Sequence, residues 1–261
     1  MIIETKCKAL LSKSGIADYC VNCYRGCSHA CAYCYAPSVL REKRRWGSFV
    51  EVRTNAPETL KKEIKNAPKG KVFISSVTDA YQPVERKYEL TRKILEILLE
   101  AQFPIEILTK SSLIARDADL IKNFHDAEAG LTITTLDDDA RKIFEPNSSP
   151  VEEKLQALKT LKDAGINTYA FFGPMLPKIS DQNLEGYFDA LNGIADFVYV
   201  DKLNLKPGTW SKLAPALEKN YPSLVGAWRE ILFTKNGYYH DLKSRITKIS
   251  SGMGIKTVFC Y

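Results

Sequence analysis

The cysteines of this chain are concentrated in one short segment. Five of the seven lie between Cys20 and Cys34 of a 261-residue sequence. A disulfide framework is typical of small secreted chains with cysteines spread along them, whereas this chain is long enough to bury a core of its own. The crowding therefore indicates a metal or redox site in a protein of a reducing compartment.

The tightest spacing in that segment is C-x3-C-x2-C, formed by Cys27, Cys31 and Cys34. Three thiolates this close can wrap one soft metal centre, and a cubane iron–sulfur cluster held by three thiolates keeps one iron without a protein ligand. An open coordination position is where a small molecule can bind and react. Zinc bound by Cys20, Cys23, Cys31 and Cys34 is the alternative, although it leaves Cys27 unused and its two pairs lie closer than in zinc ribbons.

Short apolar runs, rich in β-branched and aromatic residues, alternate with helical patterns along the rest of the chain. Their centres are 26 to 37 residues apart, which is the length of a βαβ repeat. With a further strand near residues 18–23 they predict six βα units and an α/β fold with parallel strands. The five runs cover residues 71–75, 104–108, 131–134, 168–172 and 197–200.

Two helix starts are predicted in the second half of the chain. Ser149 and Glu152 have the spacing of a capping box around a proline, and Asp181 precedes an apolar stripe of helical period. The segment 211–248 has a helical pattern, and residues 256–259 form a short final strand.

The composition is that of an ordinary globular protein with a mild basic excess. Lys and Arg number 37 against 31 Asp and Glu, for a formal net charge of +6. No stretch approaches the roughly 20 apolar residues that span a bilayer, and the first residues lack the apolar run of a signal peptide. We therefore expect a cytoplasmic protein without a membrane segment, and the charge permits an anionic partner.

Residues 26–36 carry a resemblance to a known family. Their run Gly-Cys-Ser-His-Ala-Cys-Ala-Tyr-Cys-Tyr-Ala resembles the signature of the radical SAM superfamily, and specifically its spore photoproduct lyase-like branch. Residues 76–85, 109–111 and 144–146 resemble later blocks of that branch. The resemblance covers most of residues 18–205.

The resemblance implies a partial (β/α)6 TIM barrel of the radical SAM type with a helical C-terminal extension. We expect one domain over residues 1–261, with a core at about 18–205 and the extension at about 206–261. The cluster would lie at the C-terminal mouth of the strands, where barrel enzymes carry their chemistry.

The cofactors follow from the same resemblance. It implies a 4Fe-4S cluster on Cys27, Cys31 and Cys34, whose open iron binds S-adenosylmethionine. A reductant such as ferredoxin or flavodoxin would supply the electron that cleaves S-adenosylmethionine to a 5′-deoxyadenosyl radical. The residues expected to contact this cofactor are Tyr33, Ser76, Thr78, Lys110 and Thr134.

The substrate and the residues that act on it are not identified by these motifs. The resemblance favours a nucleic acid, and a basic run ending in an aromatic residue supports it weakly, because such a run can contact a polyanion by charge and stacking. A solvated face of the first barrel helix is the simpler interpretation of that run. It consists of Arg41, Lys43, Arg44, Arg45 and Trp46.

Two other functions stay open at this point. One is a radical SAM enzyme that modifies a peptide or a metabolite, and the other is a zinc-stabilised nucleic-acid-binding module without catalysis. Four further cysteines are enough for a second metal site, although buried or loop thiols are the simpler interpretation. These are Cys7, Cys20, Cys23 and Cys260.

The chain departs from the lyase branch at one point. Photoproduct lyases use a cysteine near the end of the second strand to quench the product radical, and residues 74–79 contain none. A serine O–H bond is too strong to replace it. We therefore predict that the protein is not an efficient thymine-dimer photoproduct lyase.

Overall fold

A computed structural model describes residues 1–261, and its largest element is an eight-stranded sheet. Six strands lie side by side and parallel, in the order β3-β6-β7-β8-β9-β10. β11 pairs in parallel with β10 at one edge, and β2 pairs antiparallel with β3 at the other. The strands, numbered along the chain, are β1 (Ile2–Thr5), β2 (Leu11–Lys13), β3 (Tyr19–Val21), β4 (Tyr24–Arg25), β5 (Val50–Arg53), β6 (Val72–Ile74), β7 (Ile105–Thr109), β8 (Ala127–Thr132), β9 (Asn167–Met175), β10 (Phe197–Lys202) and β11 (Lys256–Phe259).

Helices cover one face of this sheet, and the remaining strands form a small second sheet in the order β1-β5-β4. The helices are α1 (Ala36–Val39), α2 (Ala56–Glu63), α3 (Glu85–Tyr88), α4 (Leu90–Glu100), α5 (Ala118–Ile121), α6 (Asp138–Phe144), α7 (Val151–Asp163), α8 (Leu184–Leu191), α9 (Thr209–Asn220), α10 (Val225–Phe233) and α11 (Tyr238–Gly252). Two short 3₁₀ helices are Ser112–Asp117 and Pro222–Leu224. The alternation of parallel strands and helices in an open sheet confirms the predicted α/β fold of partial-barrel type.

The core lies between the sheet and its helices. Ile107 on β7 and Val198 on β10 are fully buried there, beside Leu95 of α4 and Leu158 of α7. Each such side chain contributes roughly 1.5–3 kcal/mol when it leaves water. Because parallel strands all end at the same edge of the sheet, this core also aligns the loops that follow them.

The predicted strands agree with the structure except at β8. The run at 131–134 is displaced, because the strand begins four residues earlier at Ala127. Its first residues, Ala-Glu-Ala-Gly, have little β-propensity. They are extended because β7 and β9 pair with them on both sides.

Both predicted helix starts are wrong in detail. The side chain of Ser149 makes no cap. Its hydroxyl accepts the backbone N–H of Ser112 at 2.9 Å, while Asp138 accepts the first N–H of α7 from Val151 at 3.1 Å. Helix α8 begins after Asn183 and not at Asp181, because the Asn183 side chain accepts the N–H of Gly186 at 2.9 Å.

The C-terminal segment has the predicted helices and the final strand at 256–259. Its helices α9 and α10 form a second buried cluster with α6 and with Tyr33 of the cysteine segment. Trp228 of α10 is fully buried at its centre, stacks on Phe144 at 5.9 Å between ring centroids, and donates its indole N–H to the carbonyl of Pro177 at 2.7 Å. The extension therefore packs directly behind the cysteine segment.

Replacement of Trp228 tests that packing. We expect Trp228→Ala to lower the free energy of unfolding by about 3–5 kcal/mol, because it leaves a cavity and an unpaired carbonyl. Phe233→Ala on the same helix is the control, since Phe233 is 59% exposed and its loss should cost less than about 0.5 kcal/mol. Equal losses in urea unfolding of the two variants would contradict the packing described.

Candidate active site

The three cysteines of the C-x3-C-x2-C motif lie in the loop between β4 and α1, beyond the C-terminal end of β3. All three are free thiols; Cys27 is buried and Cys31 and Cys34 are half-buried. Burial raises the pKa of Cys34 to about 11, with Cys27 adding to the shift, and burial together with both neighbours raises the pKa of Cys31. The thiols are therefore close enough to interact, in a setting that opposes thiolates unless a bound cation compensates them. Three free, adjacent thiols fit an iron–sulfur cluster with three protein ligands.

The zinc alternative has less support. No three side chains among His, Cys, Asp and Glu, those of Cys27, Cys31 and Cys34 included, converge closely enough to hold a single metal ion. Cys20 lies within β3, and Cys23 is buried in the core near Cys7. Cys260 is exposed and follows β11, which lies at one edge of the large sheet. Cys7 lies elsewhere, beside Thr59 of α2. The spare cysteines therefore form no second ligand set.

The cysteine loop is held from one side by the segment after β6. Thr78 donates its hydroxyl to the carbonyl of Gly26 at 2.6 Å. Gln82, fully buried, donates its amide N–H to the same carbonyl at 3.2 Å and accepts the N–H of Ser28 at 2.9 Å. The Thr78 side chain, which we predicted as a cofactor contact, supports the loop in this structure.

The segment after α6 holds the other side of the loop. Asn147 donates its side-chain amide to the carbonyl of Ser28 at 2.7 Å, and the N–H of Ala32 donates to the carbonyl of Phe144 at 2.9 Å. The loop conformation is thus determined by contacts from two distant parts of the chain.

His29 lies between the ligand cysteines but faces the protein. It is 2% exposed, and its Nδ1 is 3.3 Å from a carboxylate oxygen of Asp79. Asp79 also accepts the hydroxyl of Thr109 at 2.6 Å and the N–H of Lys110 at 2.9 Å. This network connects the loop to the end of β7.

A buried carboxylate connects two of the predicted cofactor residues. Glu145 accepts the phenol of Tyr33 and, at 3.2 Å, the hydroxyl of Thr134. Lys154 of α7 lies 3.0 Å from the carboxylate and also donates to the carbonyl of Thr132. Burial would raise the pKa of Glu145, but Lys154, Lys110 and the Tyr33 hydroxyl lower it to about 2. In the sequence, Glu145 was noted only as part of a block that resembles the family. Its function of holding Tyr33, Thr134 and Lys154 together became visible in the structure, because these partners are distant in sequence.

Lys110 lies beside the ring of Tyr33. It follows the last residue of β7, and its ammonium is 5.7 Å from the centroid of the Tyr33 ring. Burial would lower the pKa of Lys110, but Cys31, Glu145 and Asp79 raise it, so the side chain is a cation. It can therefore pair with an anionic group beside the thiols.

Ser76 lies apart from that group. It follows β6 and is half-buried; its hydroxyl accepts the side-chain amide of Asn22 at 3.4 Å, and its carbonyl accepts the phenol of Tyr35 at 2.6 Å. The structure thus brings Tyr33, Lys110 and Thr134 together, whereas Ser76 contacts a different part of the loop.

The basic run is not a helical face, and its aromatic residue is buried. Helix α1 ends at Val39, so the run is not a helical face. Arg44 pairs with Glu42 and Glu51, each at 2.7 Å. Trp46 is 9% exposed and packs against Phe49, so it is not available to stack on a base. Exposed cations that make no ion pair are left at Arg41, Lys43 and Arg45.

The Glu145–Lys154 pair supports a stability prediction. Lys154→Met should lower the free energy of unfolding by about 3–5 kcal/mol, because it leaves a buried carboxylate without its cation. Lys159→Met is the control on the same helix: its pair with Asp163 is exposed and should contribute less than about 1 kcal/mol. Adding Glu145→Gln to Lys154→Met should recover part of the loss; if urea unfolding shows no recovery, the cost does not arise from the unpaired charge.

No helix of the chain combines the length and the apolar character needed to cross a membrane.

The chain is similar in sequence to proteins from an archaeon and a phage. The chain is 40% identical over 253 residues to an uncharacterized protein of Methanocaldococcus jannaschii, covering 95% of this chain and 93% of that protein. It is 25% identical over 210 residues to the radical SAM Nalpha-GlyT isomerase of Pseudomonas phage M6, covering 80% of this chain and 43% of that protein.

The fold is similar to that of spore photoproduct lyase. A variant of that lyase with bound AdoMet and dinucleoside spore photoproduct superimposes with a TM-score of 0.71 at 14% identity, over 100% of this chain and 82% of that one. The profile of the Radical SAM superfamily matches residues 21–191, more than half of the chain. This chain therefore belongs to the radical SAM superfamily of enzymes.

Proposed function

We propose that Cys27, Cys31 and Cys34 hold a 4Fe-4S cluster with one open iron, and that the enzyme uses it to cleave S-adenosylmethionine reductively. The observation that carries this proposal is the set of three free thiols spaced C-x3-C-x2-C in one loop, in a chain that matches the Radical SAM superfamily over residues 21–191. The family requires a cluster and S-adenosylmethionine, and these residues have the donor chemistry for both.

The proposed cofactor residues fall into two groups: residues that can contact S-adenosylmethionine directly, and residues that hold the site in place. Tyr33 and Lys110 lie beside the thiols, and Lys110 has the charge to pair with the carboxylate of S-adenosylmethionine. Ser76 offers polar atoms at the end of β6. Thr78 and Thr134 support the site through Gly26 and Glu145, because their hydroxyls donate to those groups.

When bound, the cluster and S-adenosylmethionine supply a 5′-deoxyadenosyl radical. The chain positions the cofactors and shields them from water. A small acidic reductant of the ferredoxin or flavodoxin class would supply the electron.

We further propose a nucleic-acid substrate. The net positive charge and the exposed cations Arg41, Lys43 and Arg45, which follow the cysteine loop, support this choice. The spore photoproduct lyase variant named above is bound to a dinucleoside, which supports the same choice. Residues 74–79 contain no cysteine, so we keep the prediction that thymine-dimer photoproduct is not the substrate.

The cluster proposal predicts a metal content. Anaerobically reconstituted enzyme should hold about four irons and four sulfides per chain. The triple variant Cys27→Ala, Cys31→Ala, Cys34→Ala should hold none, because its ligands are gone. The variant Cys7→Ala, Cys260→Ala should keep the full content and is the matched control. Zinc alone in the wild type, or a full cluster in the triple variant, would refute the assignment.

The role of Lys110 predicts a defect in cofactor binding. Lys110→Ala should weaken binding of S-adenosylmethionine about tenfold or more, since it removes a charge-assisted partner, while the iron content stays the same. Lys142→Ala is the control, because Lys142 lies on α6 with its ammonium on the exposed pair Asp138 and Asp139. Calorimetric titration of reconstituted enzyme measures both; unchanged affinity in the Lys110 variant would remove it from the site.

A further inference from the structure

The two faces of the sheet differ in what covers them. Val198 and Val200 of β10 are fully buried in the core with Leu242 and Ile246 of α11, so they face the helices. Side chains alternate along a strand. Tyr199 and Asp201 therefore face the opposite, inner side of the sheet.

Aromatic contacts confirm the inner face. Tyr169 of β9 packs on Phe197 and Tyr199, each with ring centroids 5.3 Å apart. Its ring crosses β8 at Gly130, where a Cβ would lie 2.2 Å from a ring carbon, and its hydroxyl reaches the carbonyl of Ile107 on β7 at 3.1 Å. The inner face thus has an aromatic floor formed by Phe197, Tyr199 and the buried Tyr169.

Asp201 lies above that floor, at the C-terminal end of β10. A Cβ at Gly173 on β9 would lie 2.5 Å from the ring of Phe171 and 3.1 Å from the Cβ of Asp201, so the two side chains flank the same glycine. Phe171 and Asp201 are half-buried. The Oδ1 of Asp201 is buried and has no hydrogen-bond partner, and burial raises the pKa of this carboxyl. An unpaired buried acceptor is costly, so a donor from a bound molecule would be favourable here.

The Asp201 carboxylate lies at the same edge of the sheet as the cysteine loop. β10 and β3 are parallel within one sheet, so Asp201 and the cysteine loop beyond β3 lie at the same end of the strands. A carboxylate repels phosphate but accepts an N–H, and aromatic side chains stack on flat rings. The carboxylate disfavours a phosphate, and the aromatic ring favours a flat group that carries an N–H donor.

We propose that Asp201 is a specificity-determining residue that accepts a hydrogen bond from the N–H edge of a nucleobase seated against Phe171. This proposal rests on the nucleic-acid substrate of the proposed function. The base would have to be unpaired, either in a single strand or flipped out of a duplex, because a base inside a duplex is stacked on both faces and cannot lie against Phe171.

The test uses reconstituted enzyme with S-adenosylmethionine and short fluorescent oligo(dA), oligo(dC), oligo(dT) and their RNA counterparts. Asp201→Asn keeps the shape, removes the charge and replaces one of the two acceptor oxygens by an N–H donor, so we expect at least about tenfold weaker binding of the preferred base and a changed base preference. Phe171→Leu should weaken all of them to a similar extent, since stacking does not depend on the base. Asp189→Asn on the exposed face of α8 is the matched control and should bind like the wild type.

The outcomes separate this inference from the function on which it rests. Cleavage of S-adenosylmethionine without oligonucleotide, and the thermal midpoint, should be unchanged in Asp201→Asn, which shows that the fold and cofactor site are intact. If the wild type binds a base and Asp201→Asn binds it with the same strength and preference, the role of Asp201 is overturned. If the wild type cleaves S-adenosylmethionine but binds no oligonucleotide, the nucleic-acid substrate and the base-reading role both fail, while the cofactor chemistry stands.

Discussion

The geometry of the active site depends on one buried carboxylate, that of Glu145. A buried charge without partners would cost far more than a typical side-chain contact contributes. Its partners come from four parts of the chain: Tyr33 in the cysteine loop, Thr134 after β8, Ser148 after α6, and Lys154 in α7. Satisfying this charge therefore holds the cysteine loop against a strand and a helix of the barrel. The aromatic packing of α9 and α10 behind the cysteine loop also holds the loop in place.

The second constraint is the common direction of the strands. Parallel strands end at one edge, and their following loops meet there whatever their distance in sequence. The thiols beyond β3, Ser76 after β6, Lys110 after β7 and Asp201 at the end of β10 all lie at that edge. A cofactor site and a substrate surface can thus be adjacent although more than 160 residues separate Cys34 from Asp201.

Local patterns predicted the strands and helices well and their ends less well. The capping-box pattern at Ser149 and Glu152 is present, yet the Ser149 hydroxyl bonds to Ser112 and the helix is capped by Asp138. The early start of β8 has the same origin, because pairing with both neighbouring strands outweighs the weak β-propensity of its first residues. In each case a partner distant in sequence competed with the local preference.

The sequence by itself determined the ligand set proposed for the cluster and the class of fold. The spacing of Cys27, Cys31 and Cys34 is a local property, and so is the alternation of apolar runs that produces βα units. Only the tertiary structure decided which polar groups lie beside the cysteine loop and which form hydrogen bonds that hold it. Tyr33 and Glu145 are 112 residues apart, Trp46 is buried by packing, and Asp201 faces the inner side because β10 is covered on its other side. Long-range contacts of this kind depend on how the layers pack, and packing leaves no periodic signal in the sequence.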